Sequence, residues 1–271
     1  MRPTETKALF GAPKALIGMV HVRALPGSPR SELAMKSIVE TAVSEAKAYE
    51  KAGFHAVMIE NMHDRPYPAR TADPATTAAM TVIGQEVRKS VRIPLGIQIL
   101  TGANREALAV AHAVGASFMR AEAFVYAHIA HSGFIDACAA DLVRYRRSIG
   151  AEDVKIIADI KKKHAAHAIT QDVDIVQEAT AAERFLADGV IVSGKETASP
   201  ADPEKVKRVS EAVNIPVWIG SGITSRNLSE YLPHADAMIV GSSLKEGGLW
   251  SNPLRPAALQ ELVSTFNKLL A

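Results

Sequence analysis

The sequence predicts a single (β/α)8 barrel domain over residues 1–271. Eight short apolar, β-branched-rich segments alternate with eight amphipathic ones along the chain. The apolar segments are continuous runs, as strands buried on both faces are. The last two run straight into small-residue turns, Gly220-Ser221-Gly222 and Gly241-Ser242-Ser243. In a barrel, the loops after strands seven and eight commonly hold an anion. A doubly wound open sheet is the alternative. Against it, no G-x-G-x-x-G follows the first strand, where a dinucleotide fold would carry one.

In chain order, residues 1–14 are polar and read as an irregular surface lead-in. Residues 15–20 (ALIGMV) form the first strand, ending at His21, and the RALPGSPR loop is too rich in proline and glycine for regular structure. A helix follows over 33–52, with Ile38, Ala42, Ala46 and Tyr49 at helical spacing and Gly53 as C-cap. Strand 56–61, a polar loop and a helix to Val91 repeat the unit. The next strands are 95–100 and 117–122, with a helix from Asn104 to Gly115 between them. A long loop carrying His128, His131 and Gly133 leads to helix 136–148. Strand 155–160, the run Lys161-Lys162-Lys163 and a helix to Ala187 come next. Strand 190–193, helix 203–213, strand 217–219, a short helix over 226–232 and strand 237–240 complete the set. The last helix places Leu259, Leu262, Val263, Phe266, Leu269 and Leu270 on one stripe.

Composition narrows the function. The 271 residues carry 48% hydrophobic and 22% charged side chains, ordinary for a soluble protein with a large core. A net charge of +2 argues against a nucleic-acid footprint. The lone Cys138 cannot form an intrachain disulfide, which fits the cytoplasm, and it reads as a small core residue. No apolar run reaches transmembrane length. The lysine run reads as a solvated loop.

Barrel chemistry sits at the C-terminal strand ends. The polar residues there are His21, Glu60 with Asn61, Gln98, Arg120 with Glu122, Asp159 with Lys161, and Ser193 with Lys195. Strand alternation puts Asp159 and Lys161 on one side. Beside a carboxylate, the lysine would stay charged and stabilise an enediolate or phosphate; desolvated, it could form a Schiff base. The D-x-K pair resembles the start of the D-x-K-x-x-D signature of orotidine-phosphate-decarboxylase-like barrels, but His164 stands where the closing aspartate would be. Glu60 is the candidate general base, with His21 as its rival. Gly220, Ser221, Gly222, Gly241 and Ser242 are the candidate phosphate-binding residues. His63-Asp64 and His164-x-x-His167 lack strong metal-site spacing, so no metal site is assigned; an Asp- or Glu-bound Mg²⁺ beside a phosphate would leave no motif in the sequence and stays open.

Several segments together resemble the BtpA/SgcQ family: IGMVHVRALPGSP at 17–29, IENMHDRPY at 59–67 and RYRRSIGAEDVKIIADIKKKHAAH at 144–167. The densest matches are IGSGITSRNL at 219–228 and IVGSSLKEGGLWSNPL at 239–254. The resemblance implies a barrel related to phosphate-binding ones. One branch of the family is linked by name to photosystem I biogenesis, as a peripheral membrane-complex factor, and another to a phosphotransferase-type sugar system. Gln98, Glu122 and Thr197-Ala198 depart from the family pattern, all at the expected mouth.

Two expectations follow. One is an isomerase, aldolase or lyase acting on a phosphorylated sugar or nucleoside-derived phosphate. The other is a non-catalytic assembly factor for a membrane complex such as photosystem I, associated peripherally with the membrane. A homo-oligomer is expected in either case, pairing through apolar helix faces.

Overall fold

The computed structural model describes residues 2–271, with side chains from Thr4 onward. In chain order the elements begin α1 (Arg2–Phe10), β1 (Ala15–His21), α2 (Met35–Ala52), β2 (Ala56–Glu60), α3 (Pro74–Ser90), β3 (Leu95–Gln98) and α4 (Asn104–Val114). They continue β4 (Phe118–Ala121), β5 (His128–Ala130), β6 (Gly133–Ile135), α5 (Ala139–Ser148), β7 (Lys155–Ile160), β8 (Ala165–Ala166), α6 (Ile175–Arg184) and β9 (Gly189–Val192). The chain ends α7 (Pro203–Ala212), β10 (Val217–Ile219), α8 (Leu228–Tyr231), β11 (Ala237–Val240) and α9 (Pro256–Leu270).

Eight strands close into a parallel barrel in the order β1-β11-β10-β9-β7-β4-β3-β2. The fold is the one the alternating pattern predicts. Local chemistry fixes the helix ends: Asp73 accepts from the Thr76 N–H ahead of α3, Asp174 and Gln177 form a capping box on α6, and Gly53 and Gly115 close α2 and α4 in the left-handed conformation. Two apolar layers result. The outer one joins strands to helices; the inner one fills the barrel with Ile17, Met19, Met58, Phe118, Ile157, Ile191 and Trp218 among others.

Three expectations are corrected. Residues 2–10 of the presumed irregular lead-in are the helix α1. Its Phe10 is buried against Phe118 and Trp218, with ring centroids 5.9 and 5.5 Å away, and plugs the barrel at the end opposite the mouth. The histidine-bearing loop contains the β5–β6 hairpin, and β8, just after the lysine run, pairs with β5. These short strands join the loops after β4 and β7 into a second, three-stranded sheet. On α9, Leu259, Leu262, Val263 and Phe266 are buried, whereas Leu269 and Leu270 are exposed.

Candidate active site

Register decides which strand-end side chains face inward. Met19, Met58, Phe118 and Ile157 belong to the barrel interior, and side chains two residues apart on a strand share a face. His21, Glu60, Arg120 and Asp159 therefore turn inward at the mouth. Across the β1–β2 ladder His21 pairs with Glu60, and across β2–β3 Glu60 pairs with Gln98. The two rivals for the proton-transfer role are neighbours on one ring.

Ion pairs organise that ring. Arg120 donates from Nε and Nη2 to the two oxygens of Asp159, both at 2.9 Å, with both side chains buried. Glu122 takes Lys162 at 3.2 Å and the Gln98 amide at 3.3 Å on the same oxygen, leaving its buried Oε2 without a hydrogen bond among the described residues. The Glu60 carboxylate takes no side-chain or backbone hydrogen bond among the described residues. Burial pushes its pKa up, opposed by the positive charges of Arg120 and Lys163. Its protonated form is therefore easier to reach than in a free carboxyl group, as a group that passes a proton back and forth requires. His21 is held well below its ordinary value by burial and by Lys245 and Lys163, so its imidazole is neutral.

The turns after β10 and β11 form the facing wall. The backbone N–H groups of Ser221 and Gly222 find no acceptor among the described residues, and these two residues line one cavity together with Ser242 and Ser243. Such a run of open donors suits an anion. Gly222 has φ +73° and packs so closely that a Cβ would lie 2.3 Å from Pro200; a Cβ on Gly241 would lie 2.8 Å from the His21 ring. The Ser221 hydroxyl donates to the Ser199 carbonyl and accepts from the Gly194 N–H, so it braces the loop after β9, and its backbone is what faces the cavity.

The lysine run departs most from expectation. Lys161 adopts φ +43°, which ends the strand alternation and swings its side chain out of the mouth. Its Nζ donates to the Thr170 carbonyl at 2.9 Å and pairs with Glu178 at 3.7 Å. Lys161 therefore does not stand beside Asp159 in the site. Nor is the run a solvated loop: Lys162 is buried on Glu122, and Lys163 reaches into the mouth, its Nζ 3.5 Å from the Gly220 carbonyl. Burial, and then the neighbouring Arg120, push the Lys163 ammonium down to about 8. The sequence signal for Lys163 was three cations directly after a barrel strand, next to several inward carboxylates.

The cleft has two lobes. One lies against the turns and is lined by His21, Gly222, Gly241 and Ser242; the other, about 550 Å³, lies against Gln98, Glu122, Lys162 and Tyr67. Glu60, Met62, Arg120, Lys163 and Thr197 line both and mark their junction. Asp159 backs this wall and lines neither lobe. Lys195 is exposed, whereas the Ser193 hydroxyl is buried without a partner among the described residues. Asn61 accepts from the Leu100 N–H and donates to Asp64, tying loops together. His164 binds Thr197 and His167 binds the Lys162 carbonyl. Among the described residues no three metal-ligating side chains converge. Cys138 is half-buried, accepts from Asn104, and has its thiol pushed up to about 11 by burial, which keeps it protonated.

Fold and mouth together define a parallel barrel with a glycine- and serine-lined cradle beside a buried ionisable cluster. Among solved structures it resembles a thiamine phosphate pyrophosphorylase from Pyrococcus furiosus, at 16% identity and TM-score 0.58 over 95% of this chain and 97% of the other. A phosphoribosyl anthranilate isomerase from Thermus thermophilus gives 13% and 0.58, over 94% and 99%. At these identities the likeness speaks for the fold. The chain belongs to the BtpA family, whose model matches residues 12–268. Relatives include an uncharacterized mitochondrial protein of Caenorhabditis elegans, 44% identical over 99% of this chain and 98% of its own length. Another is the photosystem I biogenesis protein BtpA of Synechocystis, 35% identical over 94% and 88%. No helix among the described residues is long and apolar enough to cross a membrane.

Proposed function

We propose that this protein is an enzyme acting on a phosphorylated sugar or a nucleoside-derived phosphate, by isomerase, aldolase or lyase chemistry. One observation carries the reading: the turns at Ser221, Gly222, Ser242 and Ser243, with open N–H groups at Ser221 and Gly222, line the same cavity as Glu60, Arg120 and Lys163. The turns hold the phosphate. Arg120, fixed by Asp159, and Lys163 offset charge that develops on the sugar carbons. Glu60 transfers the proton, and neutral His21 beside it is the alternative carrier. Solved barrels of similar fold are named for thiamine phosphate and phosphoribosyl substrates, in keeping with a phosphate compound here.

The second reading, a non-catalytic assembly factor, draws on the name of the Synechocystis relative. A scaffold has no use for a buried carboxylate without a hydrogen bond at the cavity junction.

A thermal-shift screen against sugar phosphates, nucleotides and inorganic phosphate tests the proposal. It is run with and without Mg²⁺, a hard cation suited to carboxylate and phosphate oxygens. A ligand that binds only the folded state raises Tm. The expected result is a phosphosugar shift that Ser242→Asp abolishes through charge repulsion, with far-ultraviolet circular dichroism confirming that the variant is folded. No shift with any phosphate compound at millimolar concentration overturns the reading and favours the scaffold.

A further inference from the structure

Lys163 differs from its two neighbours in the lysine run. Lys161 and Lys162 are engaged by Glu178 and Glu122. Lys163 has no ion-pair partner within 4 Å among the described residues, and its one hydrogen bond is the long contact to the Gly220 carbonyl. It stands at the junction of the two lobes, with the phosphate-facing turns on one side and the larger cavity on the other. Glu60 and Arg120 line the same junction. An amine that is partly desolvated, beside a fixed guanidinium and opposite a protonatable carboxylate, has what imine chemistry requires: a share of free base at neutral pH and a proton donor within the same wall.

We propose that Lys163 captures the carbonyl group of an aldehyde or ketone substrate as an imine. This deepens the phosphosugar reading and rests on it for the phosphate, though not for the amine. The Nζ lone pair attacks the carbonyl carbon. A carbon–nitrogen bond forms, the carbonyl π pair moves to oxygen, and a proton passes from nitrogen to that oxygen, giving a carbinolamine. Protonated Glu60 then donates its proton to the hydroxyl, the carbon–oxygen bond breaks and water leaves. The product is a protonated imine with Glu60 as carboxylate. The iminium withdraws electrons from the adjacent carbon, so Glu60 can take a proton there, or the next carbon–carbon bond can break. Addition of water reverses capture and frees the amine. No oxidant or reductant enters.

The test is borohydride trapping on the full-length protein, with peptide mapping by mass spectrometry. The probes are glycolaldehyde phosphate and dihydroxyacetone phosphate, each beside its unphosphorylated counterpart. The expected result is a reduced adduct on Lys163, formed about tenfold more heavily with the phosphorylated probes, protected by inorganic phosphate, and increasing as pH rises toward 8. Lys163→Arg, which keeps the charge, should lose the adduct while retaining its far-ultraviolet circular dichroism; Lys161→Arg and Lys162→Arg should keep it. Adducts spread over exposed lysines, or none on Lys163 with any probe, overturn the proposal. A phosphosugar thermal shift without an adduct on Lys163 overturns it and leaves the phosphate reading standing. Equal labelling of Lys163 by both kinds of probe, unprotected by phosphate, supports the amine and overturns the phosphate reading.

Discussion

The Arg120 guanidinium and the Asp159 carboxylate meet at two points, Nε to Oδ2 and Nη2 to Oδ1, each 2.9 Å long, behind the junction of the two lobes. The pair aims Arg120 at the cavity, and Asp159 acts only through it. Removing one member of a buried pair leaves the other charged and unpaired, which costs more than the pair contributes. Asp159→Ala is expected to lower stability by about 3 kcal/mol, read from urea denaturation, and to weaken phosphosugar binding. A stability loss under about 1 kcal/mol would mean that Glu60 and Glu122 hold Arg120 without Asp159.

Lys161 and Lys163 should separate cleanly. Lys161→Met removes an anchor to Thr170 and Glu178 outside the mouth. It should reduce Tm but leave the phosphosugar-induced shift as in wild type. Lys163→Met should keep or raise Tm in the absence of ligand, since a partly desolvated ammonium is gone, and should abolish the shift. Equal loss of the shift in both variants would contradict the geometry.

Glu178 gives a pH signature. Burial pushes its carboxyl up to about 7 from the ordinary 4.5, against the pull of Lys161. Between those values the folded state holds more protons than the unfolded one, so stability falls as pH rises. The contribution is fully present below about pH 4.5 and is lost as pH passes through 7. Comparing urea midpoints of wild type and Glu178→Gln from pH 4.5 to 8 should show wild type losing ground steadily. A constant difference would show that the carboxyl titrates normally.

Gly241 packs directly against the His21 ring. A methyl group there would lie 2.8 Å from the His21 Cε1. Gly241→Ala should displace the imidazole and narrow the cradle, weakening phosphate binding several-fold in titration calorimetry. Unchanged affinity would mean that the ligand stands clear of the β11 turn.

Phe10 tests the far end of the barrel. It contacts Phe118 and Trp218, remote from the cleft. Phe10→Ala should cost about 3 kcal/mol, as buried aromatic truncations do, while the ligand-induced shift stays the same. A lost shift would show that the plug supports the mouth.

Much of the fold is legible along the chain because its cause is local. Continuous β-branched runs and the glycines closing helices at Gly53 and Gly115 all act within a few residues. The two glycine turns at the mouth are legible for the same reason. The polar lead-in is misread because one aromatic residue, Phe10, supplies the anchor for a helix whose other side chains are mostly polar. The hairpin after β4 is missed because its strands are three residues each and β8 is two, too short to show a period.

The sequence by itself determines the barrel, the order of its strands, and the set of ionisable groups at their ends. Tertiary structure decides which of those groups act together. Arg120 and Asp159 are 39 positions apart and meet only because β4 and β7 are neighbours in the closed sheet. Lys161 and Lys163 are two positions apart and point to different places, because a positive φ at Lys161 breaks the alternation that would have placed Lys161 in the mouth. Side-chain direction follows periodicity only while the backbone stays in one conformation, and at the end of β7 it does not.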